Sequence, residues 1–123
     1  MDKNGVNAPL QWDTIKLFSN RTYTCVMKFL NEANPNSITN ITNEILAEQQ
    51  SHIICFEPLG ANLIVQRTDK DTTFEVGLSS KWKTGSNSSG NLNITLMHQA
   101  GVKNGSCSPG VEDIKVVYPL VVY

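Results

Sequence analysis

The stretch Leu92-Asn93-Ile94-Thr95-Leu96-Met97-His98 alternates with a period of two, and no helix can use that pattern. It puts Leu92, Ile94, Leu96 and His98 on one face of a strand and Asn93, Thr95 and Met97 on the other. The same period, less regular, runs through Thr22–Leu30, where Tyr23, Cys25, Met27 and Phe29 share a face. The composition agrees. Val and Ile number 19 against 5 Ala, which favours pleated, half-buried surfaces. The 13 Asn and 20 Ser plus Thr favour turns and weaken helix interiors.

Further strands are expected at Thr14–Phe18, Ser51–Glu57, Asn62–Arg67, Phe74–Trp82 and Ile114–Tyr123, with a bulge at Gly77 and an edge or bulge at Pro119. Thr84–Asn91 and Gly101–Gly110 read as loops. Ile38–Gln50 is open between a helix, from the spacing of Ile38, Ile41 and Ile45, and an irregular or extended segment. Residues 1–12 read as an extended N-terminal segment. Seven or eight short antiparallel strands with turns at regular spacing predict an all-β fold, a single immunoglobulin-like β-sandwich over residues 1–123. A chain of 123 residues has room for one such core.

A net charge of −1 and the lack of any Lys/Arg cluster exclude an electrostatic footprint for nucleic acid. No apolar run is long enough to span a membrane. Met1-Asp2-Lys3-Asn4-Gly5 opens no apolar leader, so the start reads as cytosolic or as a mature form after leader removal. Five N-x-[ST] sequons are a mild excess over chance, which an exported domain rich in Asn, Ser and Thr produces as readily as a glycoprotein does. No nucleophile elbow, zincin helix or phosphate-cradling loop is present, and the chain is expected not to be an enzyme.

Candidate chemistry rests on few residues. His52 and His98 are the two histidines. Each lies on the more apolar face of a predicted strand, near its end, where a sandwich opens to solvent. Two imidazoles meeting there can bind a transition metal such as zinc or copper, or ligate a haem iron; the plainer reading is two separate rim histidines. Of the three cysteines, Cys25 and Cys55 are read as small buried hydrophobes or as a bridge between neighbouring strands. Cys107, in a turn-rich loop, would join a soft-metal site if that loop folds over the sandwich end. Asp69 and Asp71 read as solvated turn aspartates, and Glu112-Asp113 as a polar turn.

Several segments occur in an order with a family likeness: Phe29-Leu30-Asn31-Glu32, the Ile38–Glu44 stretch, His52 before an apolar strand, Asp69-x-Asp71, Gly90–His98, and Gly110-x-x-Asp113-Ile114-x-Val116-x-Tyr118-Pro119. The chain resembles small exported lipoproteins of Bacteroidetes labelled "type 1 periplasmic binding fold superfamily" proteins. That label's two α/β lobes do not suit the strand pattern, so the sandwich stands as the expected fold. The resemblance implies export to the periplasm or outer-membrane surface, an N-terminal lipid anchor lying outside this chain, and work beside a TonB-dependent outer-membrane receptor. It also places both histidines at positions that the family pattern contains. Gln49-Gln50-Ser51 before His52 lacks the acidic neighbours usual there, and such a carboxylate is what orients a ligating imidazole. The resulting expectation is a non-catalytic binding lipoprotein that captures a metal ion or metal complex; the alternative is an immunoglobulin-like adhesion or scaffold module for a protein or glycan.

Overall fold

A computed structural model describes residues 14–31 and 39–123. In chain order its elements are β1 (Ile15–Leu17), β2 (Thr22–Val26), β3 (Leu30–Asn31), β4 (Thr39–Asn40), α1 (Ile41–Ala47), a 3-10 turn (Gln49–Ser51), β5 (His52–Leu59), β6 (Leu63–Arg67), β7 (Ser79–Thr84), β8 (Ser88–His98) and β9 (Val111–Val122). The fold is all-β. One sheet has the order β1-β9-β8-β5 and the other β2-β7-β6, with β3 and β4 forming a small ribbon aside. If β2, β5, β6, β7, β8 and β9 are lettered B, C, D, E, F and G, these sheets are GFC and BED, the arrangement of an immunoglobulin-type sandwich. The antibody hallmarks are missing among the described residues: no disulfide joins β2 to β8, and the buried Trp82 lies on β7 rather than β5.

One strand pair departs from the antiparallel expectation. β1 runs parallel to β9, pairing Ile15–Leu17 with Leu120–Val122. Pro119 sits one residue before that ladder begins, so its missing N–H costs no bond to β1.

The alternating residues meet between the sheets. Ile54, Leu92, Ile94, Leu96 and Leu120 from one sheet pack against Leu63 and Trp82 from the other, with Phe56 edge-on to Trp82 at 6.1 Å. The ambiguous segment resolves as a seven-residue helix because Ile41 and Ile45, one turn apart, face this core. Its expected start at Ile38 and the extended segment 1–12 lie outside the described residues.

The expected strand Phe74–Trp82 is shorter at its beginning. Its first residues are tied into a turn, with Asp69 accepting from the N–H groups of Gly77 and Leu78 at 2.8 and 3.0 Å. Gly77 has φ +105°, and a Cβ there would lie 2.9 Å from the Ile54 Cβ. Only glycine fits. The expected loop Thr84–Asn91 is shorter too, since β8 begins at Ser88 and pairs there with Val122.

Candidate metal centre

His52 opens β5 and His98 closes β8, and the two residues are Cα partners in the antiparallel ladder between them. Directly opposed residues on one face have their side chains in contact. The imidazoles stack with centroids 4.9 Å apart and planes at 27°. The plainer reading of two separate rim histidines gives way to a pair that meets.

A third donor joins them. Leu96 pairs with Ile114 and Met97 with Glu112, so Asp113 is an extra residue in β9, a β-bulge. Regular pairing would oppose Asp113 to Met97, on the face away from the histidines. The bulge turns it back: Asp113 Oδ2 lies 3.9 Å from His52 Nε2 and 3.9 Å from His98 Nδ1. One donor atom from each of the three lies within 4.8 Å of the others. The polar-turn reading of Glu112-Asp113 is therefore corrected. Both residues lie in β9, and Asp113 is the functional candidate that pattern reading missed. A bulge adds a residue without changing local composition, and only the pairing of β9 with β8 reveals it.

The donors differ in setting. His52 is buried, while the side chains of His98 and Asp113 are 43% and 40% exposed. His52 Nδ1 lies 3.0 Å from the carbonyl oxygen of Glu48, between α1 and the 3-10 turn. A carbonyl only accepts, so Nδ1–H is the donor, and in the neutral ring Nε2, facing Asp113, is the nitrogen left to ligate. A main-chain carbonyl thus does the orienting that the sequence before His52 supplies no carboxylate to do.

Two nitrogen donors and a carboxylate suit zinc, copper and related divalent ions. Tetrahedral ligands at about 2.1 Å from zinc are about 3.4 Å apart. The two 3.9 Å separations exceed that by about 0.5 Å, with all three donors within 4.8 Å of one another, and side-chain rotations close the difference. Three donors leave positions open on the exposed side. Haem is a different matter. Neighbouring hydrogen-bonded strands are about 4.8 Å apart, and a porphyrin held between both imidazoles has no slot there. The stacked pair therefore suits a bare ion better than a bis-histidine haem.

Cys107 is also corrected as a metal ligand. It is disulfide-bonded to Cys55, with Cα atoms 6.2 Å apart, and a disulfide sulfur is not a thiolate ligand. The Cys25–Cys55 bridge that neighbouring strands would allow gives way to this pairing. Cys25 is the free cysteine; burial pushes its thiol pKa up, with an opposing hydrogen bond involving Ser80.

The two turn aspartates are structural, not solvated. Asp71 Oδ1 accepts from the N–H groups of Thr73 and Phe74 at 2.6 and 2.7 Å, while Oδ2 takes the Lys103 ammonium at 2.8 Å. Both side chains of that pair are 4% exposed. Lys103 and the two N–H donors bring the Asp71 pKa down to about 2 against the opposing cost of burial. Lys103 also donates to the carbonyl of Gln49, so the pair ties the loop after β8 to the turn before His52.

No protein family, no curated protein and no solved structure matches this chain.

Proposed function

We propose that this chain is a non-catalytic metal-binding β-sandwich in which His52, His98 and Asp113 hold a divalent transition-metal ion, zinc or copper. The observation that carries the reading is the meeting of three donors from β5, β8 and the β9 bulge, with His52 already fixed in the tautomer that aims Nε2 at the centre. The open side suits capture and release better than a closed structural site, whose ligands fill the coordination sphere. A disulfide between Cys55 and Cys107 fits an oxidising compartment, and so supports the exported location that the resemblance implies. In that setting the ion would be held for an outer-membrane receptor, with a lipid anchor outside this chain providing the membrane tether.

Calorimetric titration of Zn²⁺ and Cu²⁺ into the wild type and into His52→Ala, His98→Ala and Asp113→Asn tests the reading. Saturable one-to-one binding in the wild type, weakened at least tenfold in each variant, is the expected result. Absence of binding in the wild type, or equal binding in all four proteins, overturns it.

A second reading, a protein- or glycan-binding module of the same fold, is favoured by exposed Val26 and Ile64 on the three-stranded sheet. Recovery of a protein or glycan partner by metal-free protein would support that alternative.

A further inference from the structure

The disulfide Cys55–Cys107 ties the tip of the loop between β8 and β9 to the outer face of β5. That loop is the covalent connection from His98 to Asp113. Its start is anchored by Lys103, bonded to Asp71 and to Gln49. Past Lys103 the anchoring thins. Residues 104–108 are all exposed, and the buried Gln99 amide donates to the carbonyls of Ser106 and Pro109, bonds internal to the loop. The tip is therefore tied to β5 by a covalent bond, and to the turn before β5 through Gln99, whose main-chain N–H donates to the Ser51 carbonyl at 2.6 Å.

A cation stands beside that bond. Arg67 reaches across the edge of β5, donating Nε–H to the carbonyl of Ile54 at 2.7 Å, and its Nη2 lies 3.4 Å from Cys107 Sγ. Its Nη1 faces Glu75 at 3.3 Å, which draws part of the charge away from the sulfur. The Arg67 side chain is 18% exposed and held at three points. A guanidinium against a sulfur favours the thiolate that reduction releases, and a better thiolate leaves faster and makes the disulfide more oxidising.

We propose that Cys55–Cys107 is a thiol-exchangeable latch, set by Arg67, which holds the loop joining His98 to Asp113 and releases it on reduction. The reductant is a dithiol. One of its thiolates attacks Cys55 Sγ, the S–S bond breaks, and the electron pair departs on Cys107 Sγ beside Arg67. The second thiol of the reductant then displaces Cys55 from the mixed disulfide. Cys55 leaves as a thiolate that takes up a proton, and the reductant closes into its own disulfide. Two electrons pass from the dithiol to the protein. The consequence for metal affinity rests on the function proposed above; the exchange chemistry does not.

Equilibration of the full chain with buffers of reduced and oxidised dithiothreitol, quantified by thiol alkylation and mass spectrometry, tests the latch in the wild type, Arg67→Met, Arg67→Lys and Glu75→Gln. Arg67→Met is expected to shift the equilibrium at least tenfold toward the disulfide, which is about 30 mV for a two-electron couple. Arg67→Lys should fall between it and the wild type. Glu75→Gln leaves the guanidinium undivided and should shift the balance the other way. Hydrogen exchange on the reduced wild type should show faster exchange of residues 104–110 with β8 still protected. One equilibrium constant shared by all four proteins, or a loop equally protected in both redox forms, overturns the latch. Zinc titration of the oxidised and reduced wild type separates the two ideas: at least tenfold weaker binding on reduction supports the coupling, and equal binding overturns it. Failure of zinc to bind either form refutes the metal reading and the coupling together, while the Arg67 and Glu75 shifts still decide the exchange chemistry.

Discussion

His52 shows how one hydrogen bond turns a core histidine into a candidate ligand. With Nδ1 donating to Glu48, Nε2 faces Asp113 and is the nitrogen left to ligate. Protons compete with metal for imidazole, so zinc affinity should weaken as the pH falls below about 6 and go on weakening with each further unit. Titrations at pH 7.5, 6.5 and 5.5, chosen to span about the ordinary histidine range, check this; affinity independent of pH would argue against imidazole ligation. Asp71 makes a separate prediction in acid. Its folded pKa lies below the unfolded value of 3.8, at about 2, so the stability it contributes is present above about pH 4 and lost as the pH falls toward 2. Denaturation midpoints measured across that window should fall in the wild type and fall less in Asp71→Asn. Breaking the buried pair with Lys103→Met leaves an uncompensated carboxylate and should cost about 3 kcal/mol at neutral pH.

The bulge in β9 is the element that converts a strand edge into a site. Deleting Asp113 should restore regular pairing between β8 and β9, leaving Glu112 opposite Met97 and Ile114 opposite Leu96. That variant is expected to melt within a few degrees of the wild type and to bind no zinc; a variant that keeps its zinc affinity would take the bulge out of the mechanism. Gly77→Ala bears on a different element. The positive φ and the approach to Ile54 predict destabilisation of about 1–3 kcal/mol in urea unfolding. At this scale the sequence is legible where alternation is strong. Leu92–His98 announces its inward face, and His52 and His98 can be placed at strand ends from that pattern alone. Asp113 cannot, because a bulge is defined by the partner strand. Nor can the Cys55–Cys107 pairing, since Cys107 reaches β5 only once the loop folds back against it. The aspartates of Asp69-Lys70-Asp71 look like any polar turn until Gly77, Leu78 and Lys103 are brought to them.

For the molecule as a whole, the strand order puts the connection between β8 and β9 at the same end as the beginning of β5, so one end of the sandwich holds the histidine pair, the bulge and the anchored loop. The disulfide spans 52 residues of sequence. Loop-closure entropy for such a span is worth roughly 4 kcal/mol, so Cys55→Ser should lower the unfolding free energy by about 2–4 kcal/mol. Whole-molecule order also explains why β-sandwich character is readable while strand pairing is not: alternation states which face is buried but not which strand lies beside it. The immunoglobulin-type order, including the parallel pairing of β1 with β9, emerges only from the register. The most direct measurement is anomalous diffraction at the zinc edge from crystals of the zinc-loaded, oxidised protein. A single strong peak about 2.0–2.2 Å from His52 Nε2, His98 Nδ1 and an Asp113 carboxylate oxygen is the predicted result. Zinc at another position, or an ordered site with Asp113 bridging two metal-free imidazoles in saturating zinc, would contradict it.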